Sequence, residues 1–256
     1  QGQSLPQGKR NSLVMFFEEI LPAKITRGEA AEPEAVYILD ADTGHLENGL
    51  DDVLRMFHLL MSEKETAACT CPVRPMSQFG SFLSASQALE YAQVWDCVGE
   101  SFYAAQTTAR GTSVMFKYAC LVEDGRGAMP PIGEGAQPPA LYMFSKSAGS
   151  LATTILLDVS PDDGMLVLLR QRAYDARSCA VADAVTCVPP SLLEFYAQRR
   201  RWYAASATTV LSSLTGRESY FKQERGRIFM ALYTVVFNIY LHSGVVFLPV
   251  LLAKGI

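Results

Sequence analysis

Hydrophobic positions along the 256-residue chain fall into three spacings. The unbroken apolar run Ala35–Leu39 predicts a buried strand, and so do the mostly apolar stretches 67–73 and 180–188. Less regular apolar stretches at 112–118 and 140–144 predict two more. Apolar residues every three or four positions predict helices. In 48–62 the stripe is Leu50, Val53, Leu54, Phe57 and Leu60, with Asp51 and Asp52 in the first turn, where the helix dipole favours acids. In 84–106 it runs through Leu89, Tyr91, Ala92, Trp95, Val98 and Phe102; 165–172 is a shorter case. Residues 22–34 read as a connection, and 123–139, with four glycines and four prolines, as a loop or insertion. Ser191 and Glu194 have capping-box spacing and start a helix that carries Gln198-Arg199-Arg200-Arg201-Trp202. The third spacing is 228–253, 26 residues without Asp, Glu, Lys or Arg. That is long enough for one tilted membrane span, a buried core helix being the alternative. Arg217, Lys222, Arg225 and Arg227 precede it, which places 1–227 on the cytoplasmic side. Residues 203–214 are expected to lie along the inner membrane surface.

These elements describe an α/β chain in three parts: a sheet domain over 1–190, interfacial helices over 191–227 and a membrane segment over 228–256. Composition adds little: 49% apolar and 19% charged residues are ordinary for a folded protein. A net charge of −4 gives no reason to expect nucleic acid as a partner. Six cysteines without a Cys-x-x-Cys pair, beside three histidines, argue against a zinc framework and for reduced, buried thiols in a cytosol-facing compartment. The chain opens on Gln and is expected to be a piece of a longer protein.

Four polar clusters carry candidate chemistry. Gly8-Lys9-Arg10-Asn11-Ser12 precedes an apolar run and could hold a phosphate through its two cations and backbone N–H groups; an exposed basic loop is the plainer reading. Asp40-Ala41-Asp42 directly follows a strand, at the edge where open α/β sheets bind ligands. Two hard carboxylates there suit a divalent ion on a diphosphate, or simply a turn with capping aspartates. Asp162-Asp163 leads into a helix, and Asp163 is a candidate base. On the helix after Ser191, Gln198, Arg201 and Trp202 point within about 60° of one another, Arg199 lies at the margin, and Arg200 points away. A planar amide, a fixed cation and an aromatic face on one side suit a phosphorylated sugar or the end of a glycan. A solvated basic turn with a core Trp is the alternative.

Taken in order, these motifs and the apolar segment resemble a chitin synthase, a processive family-2 membrane glycosyltransferase. The Gly-Lys-Arg-Asn-Ser, Asp-x-Asp, acidic-pair and Gln-Arg-Arg-Arg-Trp motifs match in order and rough spacing, as does the Val188-Pro189-Pro190-Ser191 lead-in. The resemblance implies a GT-A-like mixed sheet flanked by helices, a UDP-N-acetylglucosamine donor, a growing polysaccharide acceptor, and magnesium or manganese. It implies that Asp42, with Asp40, holds the metal. Asp163 would be the base toward the acceptor 4-hydroxyl, and Gln198 and Trp202 would bind the acceptor end. Arg199, Arg201, Lys9 and Arg10 would bind the substrate diphosphate. It further implies a plasma-membrane location with the catalytic part cytoplasmic, contact with membrane lipid, and leaves a homodimer open. Gly164 stands where the family usually has Arg. The family's upstream uracil-binding strand and its several later spans are not in this sequence, so the isolated chain is expected not to polymerise. A non-catalytic membrane-anchored chain with the same fold, or another polysaccharide synthase, is the alternative. The helical-face geometry predicts that Arg201→Ala abolishes transfer while Arg200→Ala does not.

Overall fold

The computed structural model describes residues 9–46, 49–64, 66–76, 81–99, 112–122, 165, 169 and 174–202. Its centre is a mixed four-stranded sheet in the order β1-β5-β3-β6: β1 (Ala35–Leu39), β3 (Thr66–Thr70), β5 (Ser113–Lys117) and β6 (Asp175–Ser178). β5 is antiparallel to both β1 and β3, and β3 is parallel to β6. β1, β3 and β6 therefore run the same way. Their C-terminal ends, at Leu39, Thr70 and Ser178, share one edge with the start of β5 at Ser113.

Alternating side chains divide the interior in two. Val36, Ile38, Val114, Phe116 and Ala176 face one core, covered by helical residues 9–26, by α5 (Tyr118–Val122) and by Met165 and Leu169. Cys69 and Met115 face the other, covered by α3 (Gly49–Ser62) through Met56 and Leu60 and by Tyr91 of α4 (Phe82–Gly99). Burying one such Met or Leu contributes about 1.5–3 kcal/mol. The result is the expected α/β layering, with helices on both faces of the sheet.

A second, three-stranded sheet grows from the shared edge in the order β2-β7-β4: β2 (Thr43–Gly44), β4 (Val73–Met76) and β7 (Ala184–Cys187). Thr43 pairs with Thr186 across the antiparallel β2–β7 ladder, and β4 runs parallel to β7. Pro75 lies inside β4, tolerable because β4 ends that order. The chain from β7 enters a helix, α6, described over residues 192–202.

Several expectations are corrected. Residues 22–34 are not all connection. α1 (Lys9–Val14), a π-helical stretch (Met15–Ile20) and α2 (Leu21–Thr26) follow without a break, and Pro22, which has no N–H to give, stands where the π-helical stretch passes into α2. The mostly apolar stretch 67–73 is two strands, divided at Cys71 and Pro72. β1 ends the four-strand order and is buried on alternate residues only; the strand buried at every position is β3. α3 is rotated from its predicted stripe. Leu50 is 73% exposed, while Asp52 is buried with Met56 and Leu60 because its carboxylate has polar partners inside. β6 went unpredicted, and the helix predicted from 84 begins at Phe82 and is described as far as Gly99. The calls over 100–106, 123–144, Asp163, 203–214 and the 228–253 span lie outside the described residues. Among the described residues no helix is long and apolar enough to cross a membrane.

Candidate functional site

The turn after β1 is built by backbone bonds. Asp40 N–H donates to Thr112 C=O at 3.1 Å, Thr43 N–H to Asp40 C=O at 3.0 Å, and Cys187 N–H to Asp42 C=O at 3.1 Å. The two aspartates thus stand at the sheet edge predicted for them, and differ. Asp42 is exposed, with Thr43 Oγ1 3.5 Å from its Oδ1. Asp40 is paired with Lys9, whose Nζ is 2.7 Å from Oδ1, both side chains being about a third exposed (29% and 31%). Two sequence motifs therefore meet directly. Lys9 stands at the start of α1 rather than in a loop, and Arg10 follows it in that helix. Among the described residues no three His, Cys, Asp or Glu side chains gather as a metal-binding group. A hard divalent ion on a diphosphate draws much of its shell from phosphate and water, so one or two carboxylates suffice, and Asp42 with Asp40 offers the right oxygens.

Behind this turn lies a buried polar chain that the sequence reading missed. His45 Nδ1 donates to Asp183 C=O at 2.7 Å, which leaves Nε2, 2.6 Å from the Tyr37 hydroxyl, to pair with it. The Tyr37 hydroxyl also lies 2.7 Å from Ser113 Oγ, itself 3.2 Å from Cys71 Sγ. Asp52 Oδ2 is 3.7 Å from His45 Nδ1. Gly49 is required beneath it, since a Cβ there would stand 2.8 Å from His45 Cβ. Burial pushes the Tyr37 hydroxyl up to about 12, the Ser113 bond pulling the other way, and pushes the Cys71 thiol up to about 11. Cys69 and Cys179 are raised by the same desolvation. Buried, protonated thiols match the expectation for these cysteines, and Cys120 is buried too; Cys187 differs in being exposed.

Half of the capping box forms at α6, the backbone bond from Glu194 to the Ser191 side chain: Glu194 N–H donates to Ser191 Oγ at 3.3 Å. The Ser191 hydroxyl lies 3.0 Å from the Glu194 carboxylate, to which it donates. From there Phe195, Gln198, Arg199 and Trp202 turn inward at i, i+3, i+4 and i+7, while Arg200 and Arg201 are exposed. This corrects the assignment of Arg199 to the margin: it is 2% exposed. The inward face is centred about 50° from Gln198 on Arg199's side, which leaves Arg201 about 110° from that centre.

Arg199 is held on every side. Its Nη2 bonds Glu90 Oε2 on α4, and its Nη1 donates to Gln198 Oε1 at 3.2 Å. Its guanidinium lies 4.6 Å over the Phe195 ring and 4.1 Å over the Trp202 ring. Trp202 packs on the second core, 6.4 Å from the Tyr91 ring. Gln87, one turn before Glu90, donates to Pro189 C=O at 3.1 Å and fastens α4 to the lead-in of α6. Arg199 Nε, Gln87 Oε1 and Ser84 Oγ are nevertheless buried without a partner among the described residues. Each such group costs about 1–3 kcal/mol.

Known proteins were compared with the chain. No protein-family model matches it. A Caenorhabditis elegans protein, chitin synthase chs-1, is 24% identical over 217 residues, 80% of this chain. The chain is chitin synthase-like. A chitin synthase from Meloidogyne artiellia is 39% identical over 57 residues, 22% of the chain. The chitin synthase-like chain spans 15% and 3% of those proteins' lengths. In it, the β2–β7 ladder ties the Asp40–Asp42 turn to the strand that feeds α6, so two motifs far apart in sequence belong to one framework.

Proposed function

We propose that the chain forms the sugar-transfer core of a chitin synthase, moving N-acetylglucosamine from its UDP donor to the 4-hydroxyl of a growing chitin chain with inversion. The observation that carries this reading is the position of Asp42. It is an exposed carboxylate at the C-terminal strand edge, hydrogen-bonded through its backbone to the strand that enters α6.

In this reading Asp163 accepts the proton of the attacking hydroxyl as the bond from sugar C1 to the UDP oxygen breaks. Asp42, with Asp40, would hold a magnesium or manganese ion, which would supply positive charge to the departing diphosphate. Lys9, Arg10 and the exposed Arg201 add fixed cations, Arg by its planar fork. Gln198 and Trp202 bind the acceptor end, while Arg199 acts through them rather than on the diphosphate. The membrane anchor of this reading rests on the charge-free apolar sequence of 228–253.

The test is incorporation of radiolabelled sugar from UDP-N-acetylglucosamine by the complete protein in membranes, with manganese or magnesium. Transfer falls at least about hundredfold in Asp163→Asn. Full activity in that variant, or preferential use of UDP-glucose or UDP-glucuronate in competition, would sink the proposal.

A further inference from the structure

We propose that Glu90 is a positioning residue for the acceptor surface. Through Arg199 it holds the Trp202 ring from one face and turns the Gln198 amide so that its NH2 group faces the glycan. The proposal rests on the acceptor reading of Gln198 and Trp202 given above.

Four contacts lead to it. Glu90 stands on α4, outside the Gln-Arg-Arg-Arg-Trp motif, yet its carboxylate holds the one motif arginine that is buried. That arginine donates to Gln198 Oε1, so the amide oxygen is committed inward and the NH2 end points away from Arg199. The same guanidinium lies over the Trp202 ring, 4.1 Å from its centroid, and holds that ring from one face. Tyr91, the residue after Glu90, meets that ring from α4. One carboxylate therefore governs both groups assigned to the acceptor. An outward NH2 donates, and so selects an oxygen acceptor on the sugar, either a hydroxyl or the acetamido carbonyl.

The experiment uses the complete protein in membranes, with Glu90→Gln, Glu90→Ala, Arg199→Ala and the double variant Glu90→Ala/Arg199→Ala. N-acetylglucosamine oligomers serve as titrated acceptors at saturating UDP-N-acetylglucosamine, and donor KM is measured separately. The expected result is an acceptor KM raised about tenfold in Glu90→Ala, and less in Glu90→Gln, with donor KM within about twofold. The double variant should match Arg199→Ala alone, because Glu90 acts through Arg199. Additive losses, or an unchanged acceptor KM in folded Glu90→Gln, would overturn the positioning role. Failure of both Glu90 variants to fold assigns the pair to the scaffold and overturns it as well. If the unmodified protein transfers no sugar to the oligomers, the function reading falls and takes this proposal with it. Activity with normal acceptor KM in the variants removes the positioning role alone.

Discussion

At the turn after β1, charge is kept in reach of water: Asp42 is exposed, and Lys9 and Asp40 pair with part of each side chain solvated. Between α4 and α6, the Arg199 cation is enclosed by two aromatic rings and a carboxylate that is only 28% exposed. Both places carry sequence motifs of the same kind, a cation beside polar groups. The first leaves carboxylate oxygens that can meet an incoming cation or phosphate. The second uses its charge to hold neighbouring side chains. A motif's charge alone therefore does not say whether it meets ligand; burial decides.

The contrast can be broken in order of size. Asp42→Asn should lower sugar transfer by about 10²–10³-fold while shifting stability by no more than about 0.5 kcal/mol. Parallel activity and urea-unfolding measurements check this, and a large stability loss would mean the turn is scaffold too. Glu90→Ala should cost roughly 2–4 kcal/mol, because it strands a buried guanidinium. The lower end reflects Glu90's partial exposure. Arg199→Met, which removes the charge but fills the space, should stay within about 1 kcal/mol. Equal losses in the two would deny that the stranded charge is the cause.

Tyr37→Phe should cost about 1–2 kcal/mol by removing the hydroxyl shared by His45 and Ser113. The sign of its pH dependence follows from the raised hydroxyl. Folded Tyr37 keeps its proton to about 12, against 10.0 ordinarily, so its contribution is complete below about pH 10 and is lost as pH rises through 12. Alkaline melting curves of the two proteins should converge across that window. Smallest of all, Lys9→Met should change stability by about 0.2–1 kcal/mol, since its pair with Asp40 is partly solvated. A salt titration would show the difference shrinking at high ionic strength.

Local signals were legible in the sequence and distant ones were not. Ala35–Leu39 was readable because five apolar residues end abruptly in a polar turn, and the helix after Ser191 because its cap is spelled out within four residues. The sheet edge that gathers Asp40 followed from its place after a strand. Arg199's burial could not be read from its helix: the carboxylate that draws it in is 109 positions away. Tyr37 meets Ser113 across 76 positions and His45 meets Asp183 across 138. Nothing local marks such partners. β6 escaped because Asp-Ala-Arg-Ser has almost no apolar pattern, its pairing with β3 rather than its composition making it a strand. In α3 the apolar stripe misled because a buried Asp52 counts as polar in any hydrophobic pattern.

Cys187 offers a chemical handle on the Asp42 turn. Burial shields Cys69, Cys71, Cys120 and Cys179, and three of those thiols are also held protonated, so among the described cysteines a maleimide dye would find Cys187 first. Its backbone N–H bonds Asp42 C=O, which seats the dye one residue's breadth from the candidate metal carboxylate. Emission from that label would change as manganese, a quenching ion, arrives, giving an optical titration of the turn that needs no sugar turnover.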